Sequence, residues 1–322
     1  MDTPSPDSRL AGLLLATALG DSLGLPLEGL SPRRARRLFP GPLRQRLLPG
    51  RGMVSDDTDH AFFVAQSLLV HPRDGRAFQR RLAWCLRGWL VALPVGIGWA
   101  TLRSLTKLCL GVSPDRSGVA SAGNGPAMRS PLIGAFFAND PERLEEAVRV
   151  STRLTHVDPK AEIGALAVAR VAALICRHDA LDRPEASEWL DAMRPPQADE
   201  DWLDILETSA GAMQDGTTVE SVIRLGGDTD TVAAVAGALA GLQVGEGGLP
   251  PEHMKRIWDP FRGLEALRTA GRRLAGAQES GKDQKPVQWL WYLLPVRHLI
   301  QIPIVLTHGF RRLLPPYGGS GR

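Results

Sequence analysis

The tripeptide Asp-Thr-Asp occurs twice in this 322-residue chain, at Asp57–Asp59 and again at Asp228–Asp230. Each copy stands where a helix should begin. The first lies in Ser55-Asp56-Asp57-Thr58-Asp59-His60 and runs into Ala61-Phe62-Phe63-Val64-Ala65. The second lies in Gly226-Gly227-Asp228-Thr229-Asp230-Thr231 and runs into Val232-Ala233-Ala234-Val235. Side chains in a first helical turn can point past the helix end into a shared space. Carboxylates and hydroxyls gathered there from two segments suit a hard, oxygen-preferring cation of the Mg²⁺ or Mn²⁺ type. The same residue types are also ordinary N-caps, and early Asp is favoured by the helix dipole. A cap needs one oxygen, however, and these segments supply several more. Crowded carboxylates repel unless a cation or protons neutralise them.

Other segments carry functional groups near predicted helix ends. Gly20-Asp21-Ser22-Leu23-Gly24-Leu25-Pro26-Leu27-Glu28 closes the first helix, because Gly24 fits a C-cap and Pro26 forbids continuation. Here Asp21 reads equally as an acceptor for backbone donors, and Glu28 as a solvated loop carboxylate or a site acid. Ser121-Ala122-Gly123-Asn124-Gly125-Pro126 opens another helix; its glycines can expose backbone N–H groups to a phosphate, or simply make a turn. His156, in Leu154-Thr155-His156-Val157-Asp158-Pro159, reads as structural or as part of a site. Gly96-Ile97-Gly98-Trp99 reads as a flexible break. No Walker-A, HExxH or G-x-S-x-G pattern is present, and the seven histidines lack zinc-ligand spacing.

The elements that must position these groups are helices. Apolar residues at helical spacing predict helices over 10–19, 57–70, 78–93, 142–154, 159–176, 202–213 and 231–242. Asp140-Pro141 and Asp158-Pro159 mark helix starts. Strand-type alternation is almost absent, so the chain reads as all-α. Small-residue faces such as Ala233, Ala236, Gly237 and Gly241 allow close helix contact. The proline-bearing stretch 178–200 predicts a helix-poor surface excursion. Nothing reads as a linker between unlike compositions, which predicts one domain over 1–281 and an appendage over 282–322.

Apolar residues make up 43% and charged residues 23%, ordinary for a globular protein. A net charge of +3 argues against a strongly basic nucleic-acid binder, while a pI near 9.0 leaves mild attraction for phosphate-bearing ligands. Cys85, Cys109 and Cys176 form no CxxC pair and read as buried free thiols. The segment 1–8 lacks a charged-then-apolar signal pattern, which predicts a cytoplasmic protein. The appendage contains Trp289-Leu290-Trp291-Tyr292 and the apolar run 300–306, interrupted by Pro295 and Pro303 and carrying Arg297 and His298. It is a poor membrane span. It reads as a tail packed on the bundle or as an interfacial anchor, giving peripheral membrane contact through 286–314.

Taken in order, these patches resemble the ADP-ribosylglycohydrolase family, which includes the dinitrogenase-reductase-activating glycohydrolases. The matching pieces are Gly20–Gly24 with Glu28, Ser55–Thr58, Gly123–Gly125 with Ala127-Met128-Arg129, Leu154-Thr155-His156 and Gly226–Thr231. The resemblance implies a compact orthogonal multi-helix bundle with a two-metal centre, Mg²⁺ or Mn²⁺. It implies Ser55, Asp56, Asp57, Asp228, Asp230 and Thr231 as ligands, with Glu28 and Asp57 serving catalysis. Ser121, Gly123, Asn124, Gly125 and His156 correspond to positions lining an ADP-ribose pocket. The implied activity is hydrolysis of the ribosyl C1″ bond of an ADP-ribosylated protein or small conjugate. The alternatives are an ADP-ribose-binding module without turnover and a metal-dependent phosphohydrolase.

Overall fold

Helix α1 (Pro6–Gly24) is apolar on every side and buried along nearly its whole length, the character of a central helix. With the following 3-10 turn it is long and apolar enough to cross a membrane, but 89% of its most apolar stretch is covered by the rest of the protein. The computed structural model describes residues 4–178, 185–195, 198, 200, 202 and 219–313. Along the chain follow α2 (Pro32–Leu38), α3 (Asp56–Val70), α4 (Gly75–Val91), α5 (Trp99–Cys109), α6 (Gly125–Phe136) and α7 (Pro141–Arg153). Next come α8 (Pro159–Arg177), α9 (Ala186–Met193), α10 (Val219–Ile223), α11 (Thr229–Val244), α12 (Pro251–Met254), α13 (Gly263–Ser280) and α14 (Leu294–Arg311). Two strands, β1 (Gly52–Met53) and β2 (Ile257–Trp258), pair in parallel with Gly52 opposite Ile257. The protein is all-α.

The most extensive contact in the bundle joins α1 to α11, and small residues make it possible. A Cβ placed on Gly20 would lie 1.9 Å from the Ala233 carbonyl oxygen, and one on Gly237 would lie 2.3 Å from that of Ala16. Backbone meets backbone, so neither helix can yield by a rotamer change. This contact sets the start of α11 beside the end of α1. Gly20→Ala should therefore cost at least ~2 kcal/mol in a urea titration, above most single-methyl insertions; a loss within error would show that the helices can separate freely.

Several predicted boundaries hold. Asp140 and Asp158 cap α7 and α8 through side-chain bonds to Arg143 N and Lys160 N. Other expectations need correction. The 178–200 stretch contains α9, which carries a reciprocal cap between Glu185 and Glu188. Cys109 is exposed, although all three cysteines are free. Pro303 does not break its segment: α14 runs through it. The helix expected over 202–213 lies outside the described residues except for Trp202.

Candidate metal centre and ligand cleft

Asp21 fixes the start of α3 from the neighbouring helix. Its carboxylate accepts bonds from Ser55 N at 2.9 Å, from Thr58 N at 3.2 Å and from the Thr58 hydroxyl. This satisfies first-turn donors that the helix cannot satisfy itself. Ser55 Oγ caps the same turn, accepting from Asp57 N at 3.3 Å, so that Asp56 and Asp57 are left as surplus acids. Gly226 and Gly227, both at φ near +79°, turn the chain into α11. Gly227 pairs with Leu30 across an isolated bridge, which draws the Glu28 loop next to Asp228.

The two helix starts face each other. Thr231 donates its hydroxyl hydrogen to Asp57 Oδ2 at 3.2 Å, and Ser55 Oγ lies 3.3 Å from the same oxygen. Asp21, Asp57 and Asp230 can each direct an oxygen into a space where all three lie within 4.8 Å of one another. Burial, reinforced by Asp21 and other acids, pushes Asp56 up to about 8. Burial together with Asp57 and Glu28 pushes Asp230 up to about 11, and Asp57 is likewise held well above the carboxylate range. Asp228 goes the other way: hydrogen bonds from Asp230, Asn124 and Thr231 outweigh its desolvation.

The donor set fits a divalent cation. Asp57 Oδ1 and Asp230 Oδ1 are both buried and have no hydrogen-bond partner among the described residues. Such oxygens are costly unless something positive meets them. Asp21 is the poorest donor of the geometric trio, because its oxygens already accept three groups. Its place in the centre was left open by the sequence, since its partners lie in a distant segment.

The acids also predict a pH signature. In the folded, chelated protein they keep protons that the unfolded chain has released by pH 7, so that stability falls as pH rises toward 8 and beyond. A cation competes with those protons for the same oxygens. The rise in Tm on adding Mg²⁺ should therefore be larger at pH 8 than at pH 6, measured by thermal unfolding against a chelator control. An increment independent of pH would contradict this protonation pattern.

Above the acids lies a cleft of about 400 Å³. Its walls include Glu28, Asp56, Asp228, Asp230 and Thr231 on one side and Ser121, Gly123, Asn124, Gly125 and His156 on the other. Ser55 and Asp57 are set back from this wall. Asn124 links the two sides through its Nδ2, which donates to Asp228 Oδ2 at 2.7 Å. A Cβ on Gly123 would lie 2.9 Å from His156 Nε2, so the loop lies directly against the imidazole. Burial and the nearby Arg129 guanidinium lower His156 to about 4, and its ring is neutral near pH 7. Glu28 reaches solvent at the rim, yet partial desolvation and Asp228 raise it against the pull of Arg312.

The structure adds cleft residues that the sequence reading did not assign. Trp99 and Arg103 line it, with Gly96 and Gly98 between them and α4. Gly96-Ile97-Gly98-Trp99 is thus the entry to α5 and part of the wall, not merely a break. Its signal was an aromatic immediately after a glycine N-cap. A larger groove of about 970 Å³ lies at the other end of α1, near Asp7 and Arg9, away from the acid cluster.

Asp59, in the same motif as Asp57, points elsewhere. It pairs with Arg262 at 2.8 Å and with Arg297, and accepts from Trp89 Nε1 at 3.0 Å. Asp259 completes the network, with Arg262 at 2.7 Å and Arg297 at 3.0 Å. All four side chains are buried. Desolvation alone would raise Asp59, but Arg297 and Arg262 hold it well below the usual range. The two Asp-Thr-Asp copies therefore differ: Asp230 turns to the cleft, whereas Asp59 anchors α3 to α13 and α14.

Known proteins resemble this chain in sequence and fold. An uncharacterised protein of Archaeoglobus fulgidus is 29% identical over 273 residues, covering 73% of this chain and 87% of the relative. The ADP-ribosyl-[dinitrogen reductase] glycohydrolase of Rhodospirillum rubrum is 25% identical over 277 residues, covering 80% and 92%. A solved structure described as an ADP-ribosylglycohydrolase-related protein complex shares the fold, with a TM-score of 0.62 and 24% identity over 85% of this chain and 99% of that one. The family model described as ADP-ribosylglycohydrolase matches residues 2–283. A match over that much of the chain places this protein in the ADP-ribosylglycohydrolase family.

Proposed function

We propose that this protein is a metal-dependent hydrolase that cleaves the ribosyl C1″ glycosidic bond of ADP-ribosylated substrates and releases ADP-ribose. The observation that carries the proposal is the pair of opposed helix starts, where Asp57 Oδ1 and Asp230 Oδ1 lack partners among the described residues under a ligand-sized cleft. Ser55, Asp56, Asp57, Asp228, Asp230 and Thr231 would hold two divalent cations, Mg²⁺ or Mn²⁺, through oxygen atoms alone. Bound there, the cations would supply Lewis acidity and fixed positive charge beside the ribose hydroxyls.

The chain's own residues do the rest. Breaking the C1″ bond builds oxocarbenium character on the ribose, which the surrounding carboxylates stabilise. Glu28, raised by desolvation and by Asp228, would take a proton from the attacking water at the rim as its oxygen bonds to C1″, and would return that proton to the acceptor atom that leaves as the C1″ bond breaks. The Ser121–Gly125 loop would lie against the diphosphate, and Arg103 adds a cation at the same wall. Trp99 offers an exposed aromatic face for the purine. His156, uncharged, buttresses the loop without adding positive charge. The R. rubrum relative is named for an ADP-ribosylated protein, which supports a macromolecular or conjugated acceptor.

Product identity tests the proposal. ADP-ribosyl-arginine, ADP-ribosyl-serine and O-acetyl-ADP-ribose are incubated with the protein and Mg²⁺ and resolved by chromatography. Free ADP-ribose from at least one is the expected product. AMP or phosphate instead would assign a phosphohydrolase, and tight ADP-ribose binding without any release would assign a binding module.

A further inference from the structure

Helix α14 is folded with its faces reversed. Its polar side chains Arg297, His298, Gln301 and His308 are buried. Besides the Arg297 ion pairs, His298 Nδ1 lies 2.7 Å from the Ala92 carbonyl, Gln301 donates to Val54 O at 3.2 Å, and His308 Nε2 lies 2.9 Å from Pro26 O. The opposite face carries Leu299, Ile302, Leu306 and Phe310 into solvent, Phe310 at 70% exposure. Just before the helix, Trp291 and Tyr292 are 67% and 59% exposed and stack edge-on. Scattered exposed apolar residues need no explanation, but a contiguous helix face does.

Charge around this face is one-sided. Residues 284–313 contain no Asp or Glu; Arg297 is neutralised in the interior, which leaves Lys285, Arg311 and Arg312 as this segment's positive charges. The adjoining segment 29–55 contains seven arginines and no acid, and Arg33, Arg34, Arg36 and Arg37 on α2 are all exposed. The two segments meet where the Phe39 ring lies 6.2 Å from that of His308. A net charge of only +3 for the whole chain makes this a local concentration.

We propose that the outer face of α14, with Trp291 and Tyr292 and the neighbouring α2 arginines, is a peripheral docking surface for an anionic lipid bilayer. Apolar side chains at acyl-chain depth, aromatic rings at headgroup level and arginines near anionic headgroups each find a partner there. A nucleic acid would leave the apolar face uncovered. A second copy packed two-fold on this face would bring arginine-rich segments toward each other. The surface is independent of the reaction proposed above.

Co-sedimentation of the full chain with phosphatidylcholine vesicles, with and without about a third phosphatidylserine, tests this. The expected result is at least ~tenfold stronger partitioning into the anionic vesicles, weakening with salt. Leu306→Gln combined with Phe310→Gln should reduce it ~tenfold or more with Tm unchanged. Arg33→Gln combined with Arg34→Gln should cost ~fivefold per charge and flatten the salt dependence. Failure of the wild type to partition into anionic vesicles at low salt would overturn the proposal. So would variants that bind like the wild type, or a dimer in light scattering that Phe310→Gln dissociates.

Discussion

Asp57→Asn is expected to lower ADP-ribose release by at least ~10³-fold while leaving the chelated protein no less stable than the wild type. The two halves of that result come from one geometry. Asp57 has one oxygen held by Thr231, with the Ser55 hydroxyl also nearby, and one buried oxygen with no partner among the described residues. It sits among Asp56, Asp21 and Asp228, all of which raise it. Without a cation Asp57 must hold a proton that the unfolded chain has released at neutral pH, and the isosteric amide removes that cost. With a cation, the same change removes an anionic ligand from the centre. Activity, Mg²⁺ calorimetry and urea denaturation in chelator should therefore separate. A variant that loses stability in chelator would mean that Asp57 is chiefly structural; a variant that keeps activity would remove it from the centre.

Arg297→Met is expected to destabilise the protein by ~3–5 kcal/mol, the largest stability effect predicted for any single side chain here. The buried network of Asp59, Asp259, Arg262 and Arg297 is neutral as it stands. Removing Arg297 leaves two carboxylates on one guanidinium, out of reach of water. The methionine keeps most of the volume, so that the measured cost is mainly electrostatic. Adding Asp259→Leu to Arg297→Met restores neutrality and should recover part of the loss, a coupling that a double-mutant cycle reads directly. Because Asp59 follows Asp57 by two residues, the single variant should also loosen the start of α3 and weaken Mg²⁺ binding. A loss below ~1 kcal/mol in urea titration would mean that the network is solvated in practice.

The metal motifs were legible because their information is local. Asp56, Asp57, Asp228 and Asp230 sit within a few residues of a helix start, and the excess of oxygen over what a cap needs could be counted. The helices over 57–70 and 159–176 were equally plain from their apolar spacing. Asp21 was ambiguous because its partners, Ser55 and Thr58, are brought to it by packing. Asp59 could not be told from Asp230 by sequence, because what turns it away is Arg262 and Arg297 from two other helices. In α13 the buried Ala266, Ala270, Leu274 and Ala277 follow helical spacing with Arg268, Arg272 and Arg273 among them, so that this helix too was legible from its periodicity. In α14 the usual inference fails outright. Apolar periodicity says which face is coherent; here Asp59 and Asp259 select the polar face as the inner one.

Cations held by the two opposed helix starts are expected to be required for hydrolysis. The most direct measurement uses one preparation dialysed against chelator and then titrated with Mg²⁺ or Mn²⁺, with ADP-ribose release and calorimetric stoichiometry followed together. The expected result is no release in chelator, recovery in step with cation binding, and saturation at two ions per chain. Full release in chelator, or recovery that leaves Asp57→Asn and Asp228→Ala as active as the wild type, would contradict it.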